Sequence, residues 1–173
     1  MAEALDPILP GRVDALVKQV LNEACMRGLM LATAESCTGG LLASLLTDVP
    51  GCSHAFERGF VAYTNEAKHE MLGLSQELLR DPGPVSESAA RAMAAGALDA
   101  SRADLAISAT GWTEEAGEGA DPRRPAGRVW LGCMRRGRAA TARRLELGDI
   151  GRARIRIACL EAALDMLLAA MGD

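Results

Sequence analysis

The chain is expected to fold as a single-domain α/β protein, a three-layer α/β/α sandwich around a mixed sheet. Three observations predict this class. Apolar runs of strand length alternate with segments whose apolar residues recur at helical spacing. Two strand-like runs lie side by side late in the chain across the basic turn Arg135-Arg136-Gly137-Arg138, which adds a hairpin to an otherwise interleaved order. The composition is 49% apolar but only 3% aromatic. Abundant Ala, Leu, Gly and Arg suit helices packed tightly on a sheet and argue against disorder.

The elements follow in order. Residues 1–11 read as an N-terminal tail and residues 12–173 as the domain. Behind Pro10-Gly11, Val13, Leu16, Val17, Val20, Leu21 and Ala24 mark a helix over Arg12–Arg27, and Gly28 ends it. Residues 29–34 are a short buried strand, and Thr38–Thr47 the next helix, broken by Pro50-Gly51. Residues 55–64 contain the strand-like run Phe60-Val61-Ala62-Tyr63. Asn65 is placed to cap a short helix that Gly73 ends. Asp81-Pro82-Gly83-Pro84 is a loop in which Pro84 holds Gly83 extended, and Ser86 caps an Ala-rich helix over residues 87–101. Asp104–Thr110 is a strand that stops at Gly111, where a polar loop runs to Pro125. Arg128–Arg135 and Ala140–Leu147 form the hairpin. A long helix over Arg152–Met171 closes the chain, with Ile155, Cys159, Ala162, Ala163, Met166 and Leu167 on its apolar face.

Several function classes fall away on composition. No apolar run reaches the roughly 20 residues of a membrane span, and the N-terminal stretch lacks the basic-then-apolar order of a secretory signal, so a cytoplasmic, membrane-free protein is expected. Cys25, Cys37, Cys52, Cys133 and Cys159 are odd in number and irregularly spaced, so reduced core thiols are expected rather than a disulfide framework or zinc site. His54 and His69 offer no paired-imidazole metal site, and neither metal nor organic cofactor is expected. Residues 1–122 carry 8 basic and 18 acidic side chains, residues 123–173 carry 11 and 5. Acids interrupt the arginines of the basic end and only Trp130 lies among them, which favours a compact anionic ligand over nucleic acid.

The stretch Ala34-Glu35-Ser36-Cys37-Thr38-Gly39-Gly40 carries the most chemistry. It joins a strand to a helix and sets a carboxylate, a hydroxyl and a thiol beside the amides of a helix start, which favour an anion or oxyanion. Ser36 is a candidate nucleophile or a helix cap. Cys37 is intrinsically more nucleophilic but points elsewhere on a tight turn. Lys68, one of two lysines, is a candidate base because burial lowers a lysine pKa whereas arginine stays charged; otherwise it is a solvated surface charge. Tyr63, the single tyrosine, either orients that lysine and stacks on a ring or packs at the rim. Glu35 orients a catalytic group, binds a hydroxyl or stabilises the turn.

These residues carry a resemblance. The block AESCTGGLLASLLTDVPGCSHAFERGFVAYTNEAKHEMLG, with PVSESAARAMAAGA, LAISATG, PAGRVWLG and GRARIRIACLEAALDML, resembles the C-terminal domain of the CinA (competence/damage-inducible) proteins over residues 12–170. Free-standing members resemble nicotinamide-nucleotide amidohydrolases. The resemblance implies hydrolysis of the carboxamide of nicotinamide mononucleotide to nicotinate mononucleotide and ammonia. It implies Ser36 as nucleophile, Lys68 and Tyr63 for the proton, and Thr38, Gly39 and Gly40 for oxyanion or phosphate contacts. Thr110 and Gly111 would line the opposite wall, and Arg152 and Arg156, four residues apart, would clamp the phosphate. It also implies a homo-oligomer, and longer members with an additional N-terminal nucleotide-hydrolysing domain, for which 173 residues leave no room.

The chain departs from that pattern after Thr110-Gly111. An Ile-Ala-Gly-Pro corner and glycines give way to a longer loop with Trp112, Glu114, Glu115, Glu118 and Asp121, and Gly148-Asp149-Ile150-Gly151 replaces a Gly-Asp-Arg start. Altered substrate choice, weakened turnover or a catalytically silent nucleotide-binding module linked to competence or DNA damage are the outcomes these changes imply.

Overall fold

The computed structural model describes residues 10–114 and 123–172. Helix α1 (Gly11–Arg27) ends at Gly28, whose φ of 64° is the left-handed conformation that closes a helix. Strand β1 (Leu31–Glu35) is buried throughout. Helix α2 (Leu41–Thr47) starts three residues later than the sequence suggests, because Gly39 and Gly40 adopt φ of 64° and 92° and so cannot belong to it. A 3-10 turn leads into β2 (Phe56–Val61), then α3 (Asn65–Leu72). The α3 cap is Thr64, whose hydroxyl accepts from the Ala67 amide at 3.1 Å, not Asn65. Helix α4 (Gln76–Arg80), started by Ser75, is too short for periodicity to reveal. Gly83 takes φ of 98° instead of the extended backbone expected of it.

Ser86 caps α5 (Glu87–Asp99) as expected, its hydroxyl accepting from Ala89 at 3.1 Å. Strands β3 (Leu105–Gly111), β4 (Arg128–Arg135) and β5 (Thr141–Glu146) follow, then α6 (Arg152–Gly172). No helix among the described residues is long and apolar enough to cross a membrane. The acids at 115, 118 and 121 and residues 1–9 of the expected tail lie outside the described residues.

The sheet order is β2-β1-β3-β4-β5. Strand β1 is parallel to both neighbours, β4 is antiparallel to β3, and β5 antiparallel to β4. Four strands thus end at one edge of the sheet, the edge at which β4 begins, and loops from adjacent parallel strands meet there.

Alternation sorts the two faces. Leu31, Leu105, Ile107, Ala109, Val129 and Leu131 pack with α1, α2 and α6, each fully buried leucine contributing roughly 1.5–3 kcal/mol. Ala32, Ala34 and Ala106 face α3, α4 and α5. Small residues there let backbones touch. A Cβ at Gly132 would stand 2.2 Å from the Ala90 carbonyl oxygen, and one at Gly96 1.9 Å from that of Leu72. The alanine-rich composition is therefore spent on bringing α5 down onto the sheet.

Candidate active site

Strand β1 delivers Ser36 to the shared edge. The Ser36 amide donates to the Ala109 carbonyl of β3 at 2.9 Å, and the Ala62 amide donates to the Glu35 carbonyl at 2.8 Å, so both neighbouring strands pin the strand end. Glu35 then folds its carboxylate back into the turn. Oε2 accepts from the amides of Gly40 (3.1 Å) and Leu42 (3.0 Å), and Oε1 from that of Ala43 (2.8 Å). Glu35 is fully buried, so these helix-start amides already hold an anion, and it is the protein's own.

This arrangement corrects part of the expected ligand set. Glu35, Thr38, Gly39 and Gly40 do not line the cavity described below. Arg156 stands behind the turn, donating to the Thr38 carbonyl and packing on Gly39, where a Cβ would meet its guanidinium at 3.1 Å. One helical turn from Arg152 carries a side chain about 5 Å along α6, enough to move it from the cavity to the back of the turn.

Ser36 Oγ meets Lys68 Nζ at 3.0 Å. Lys68 comes from α3 and is 2% exposed, with its amine donating to the carbonyls of Ala62 (3.0 Å) and Tyr63 (2.9 Å). Three acceptors satisfy a charged ammonium. A neutral amine has two protons and a lone pair, and the two carbonyls, as pure acceptors, claim the protons. The lone pair is then left to accept the Ser36 hydroxyl proton. Burial lowers the Lys68 pKa from the ordinary lysine range, opposed in part by the nearby Cys37 sulfur.

Tyr63 holds Lys68 through its backbone, not through its hydroxyl as expected. Its side chain is 63% exposed, and the hydroxyl stands beside Arg152 instead. There the Tyr63 hydroxyl and then the Glu114 carboxylate favour the charged guanidinium, Glu114 at 3.1 Å from Arg152. The neighbouring Cys37 thiol, and then burial, push the Cys159 pKa up. The better intrinsic nucleophile is thus turned towards the core.

These groups open into a cavity of about 960 Å³. Ser36, Cys37 and Lys68 line one part of it, with Tyr63, Thr64 and Asn65 from the β2–α3 junction. Arg80 and residues 82–85 come from the α4–α5 connection, which Thr110 ties down by donating to the Pro84 carbonyl at 2.7 Å. Gly111, Trp112, Thr113 and Glu114 extend from β3; Arg123, Arg124 and Arg152 complete the lining. Trp112 borders the space without filling it.

A sequence model of the CinA C-terminal domain matches residues 13–171. The chain belongs to this family. Within it, the nicotinamide-nucleotide amidohydrolase PncC of Escherichia coli K12 is 44% identical over 135 residues, covering 78% of this chain and 81% of that protein. A putative competence-damage inducible protein of Caldicellulosiruptor saccharolyticus is 43% identical over 154 residues, 89% of this chain but 36% of the relative. The chain therefore spans about a third of that longer protein. The crystal structure of the competence/damage inducible protein CihA from Agrobacterium tumefaciens superposes with a TM-score of 0.88 at 41% identity, over 95% of this chain and 98% of that one.

Of the residues singled out in the sequence, the CinA fold brings Ser36, Cys37, Tyr63, Lys68, Thr110, Gly111 and Arg152 to one cavity. Sequence reasoning missed Arg80, Arg123, Arg124 and Asn65, and the two carbonyls that hold Lys68. The arginines at 123 and 124 carry a local signal, a basic pair inside an acidic loop. Arg80 sits beside the Asp81-Pro82 turn but shows none.

Proposed function

We propose that this chain is an amidohydrolase that cleaves the carboxamide of nicotinamide mononucleotide, giving nicotinate mononucleotide and ammonia. The observation that carries the reading is the 3.0 Å contact between a buried amine and a cavity-facing hydroxyl, with both carbonyl partners of the amine in place. The 44% identity to PncC, named for this activity, supports the substrate class.

Neutral Lys68 takes the Ser36 proton as Oγ attacks the carboxamide carbon, forming a tetrahedral oxyanion. Glu35 takes the amides of Gly40, Leu42 and Ala43, and the Cys37 amide, on a residue that lines the cavity, is the donor we assign to that oxygen. The Lys68 ammonium returns its proton to the departing nitrogen, the C–N bond breaks, and ammonia leaves an acyl-serine. Water then attacks the ester carbon, giving its proton to Lys68, which passes it back to Ser36 Oγ as the acid is released.

Ammonia release from nicotinamide mononucleotide, measured on the wild type and on Ser36→Ala, tests the reading. Release that the substitution abolishes is expected. Equal release from both proteins would remove Ser36 from the mechanism. The Glu114–Arg152 ion pair inside the cavity favours one second reading, a nucleotide-binding module without turnover. Nucleotide-dependent thermal stabilisation without ammonia would support it.

A further inference from the structure

The proposed mechanism uses no cysteine thiol, and one pair of thiols is placed for chemistry of its own. All five cysteines are free; Cys25 is partly exposed and the other four are buried. Cys25 lies near the end of α1, and Cys52 stands directly before the 3-10 turn Ser53–Ala55, its carbonyl accepting from the Ala55 amide at 2.9 Å. The Cys52 thiol donates to Asn22, with Sγ 3.9 Å from Oδ1. Asn22 and Cys25 are three residues apart on α1 and share a face, which sets Cys25 towards the same sulfur. Both cysteines pack on one apolar cluster, Cys52 within it at 8% exposure and Cys25 at its margin. Burial, and then the neighbouring Cys52 thiol, raise the Cys25 pKa from the ordinary thiol value.

The position of the pair along the chain sets what a bond between the sulfurs would do. Between Cys25 and Cys52 run β1, the Ser36 turn and α2, the whole segment that carries the proposed nucleophile. A disulfide would close that segment into a loop and remove freedom mainly from the unfolded chain. Cys37 and Cys159 also neighbour each other, but Cys159 is fully buried in α6, so a bond there would have to form inside the core.

We propose that Cys25 and Cys52 are a redox-sensitive thiol pair, closed to a disulfide by a hydroperoxide and reopened by a dithiol, which clamps the two ends of the segment carrying Ser36. With hydrogen peroxide, the Cys25 thiolate attacks one oxygen and the O–O bond breaks. Hydroxide leaves, takes up the proton the thiol gave up, and becomes water, with a sulfenic acid left on Cys25. The Cys52 sulfur then attacks the Cys25 sulfur, the S–O bond breaks, and the hydroxyl departs with the Cys52 proton as a second water. Two thiols lose two electrons and one peroxide is reduced to two waters. The inference does not rest on the amidohydrolase reading, and neither readout of its test needs turnover.

The test treats the reduced full chain with a stoichiometric amount of hydrogen peroxide and maps the thiols by mass spectrometry. Digestion with trypsin and Asp-N separates Cys25 (residues 19–27), Cys37 (28–47) and Cys52 (48–58). A cross-link between the first and third peptides is expected, and dithiothreitol should remove it. The oxidised wild type should melt about 5–15 °C above the reduced protein. Cys25→Ser and Cys52→Ser should each lose both the cross-link and the shift, and the peptide map of the wild type stands whether or not the variants fold. Oxidation of Cys25 to a sulfinic acid without that cross-link would overturn the proposal, as would pairing of Cys37 with Cys159 in its place. A cross-linked chain that melts no higher than the reduced one would overturn the clamp.

Discussion

The Ser36 turn and the loop that follows β3 border the same cavity and are built in opposite ways. In the turn, every positioning contact has a main-chain group as one partner. Two neighbouring strands grip the backbone, Glu35 neutralises the helix start, and two carbonyls orient Lys68. In the loop, side chains do the positioning: Glu114 lies on Arg152, and Arg124 stacks on Trp112. Backbone geometry tolerates many side-chain changes nearby, whereas a side-chain pair changes with each substitution. A family member can therefore keep its chemistry in the turn while the loop alters what is selected.

The sharpest way to break this contrast is in the turn. Ser36→Ala should lower kcat for ammonia release by a factor of about 1,000 or more, with thermal stability nearly unchanged, because only one hydroxyl is lost. Lys68→Met should cost about 100- to 10,000-fold in kcat. If either variant kept more than a tenth of wild-type kcat, the turn would not be the reacting centre.

Glu35→Ala tests the scaffold rather than the chemistry. It leaves three amides of the turn without their carboxylate, and a stability loss of about 3–5 kcal/mol in urea unfolding is expected. A loss below 1 kcal/mol would show that the helix start does not depend on it.

The pH dependence has a definite sign. Lys68 is lowered in the folded protein, so between its folded and unfolded pKa values the unfolded chain binds the extra proton. Stability should rise with pH through that window, the cost of burying the charged amine being felt in full below the folded value. In the proposed mechanism the same deprotonation creates the base, so kcat/KM should climb with pH along a limb centred below the ordinary lysine range. Lys68→Met should remove the stability slope. A kcat/KM profile with no rising limb at any pH at which the protein stays folded would sever the link between amine and activity.

The smallest effect is expected in the loop. Glu114 is largely exposed, so Glu114→Gln should free Arg152 and change KM for the nucleotide by only about two- to fivefold downwards. A larger gain, or a loss of activity, would give the loop carboxylate a direct part in the reaction.

Much of this contrast is visible before any coordinates. The strand–turn–helix junction, the glycines that end helices and the Ser86 cap all rest on interactions between residues a few positions apart, and pattern reads those well. The α2 start, the Thr64 cap and α4 were misplaced or missed because each depends on one local hydrogen bond or one positive φ that competes with periodicity. In the site, residue types suggested Ser36 and Lys68 as partners, and their contact spans 32 positions. The contribution of Tyr63 through its carbonyl had no signal at all, since any residue supplies a carbonyl.

The sequence by itself determined the α/β class, the order of its main elements and the candidate pair Ser36 and Lys68, because apolar period and residue chemistry are local properties. Tertiary structure alone decided which charges face the cavity. Arg152 and Arg156 are equivalent on a helical wheel, yet one meets Glu114 and the other the back of the turn. Arg80 joins the cavity only because parallel strands bring their loops to one edge. Long-range packing sets the direction of each side chain, and no spacing along the chain encodes it.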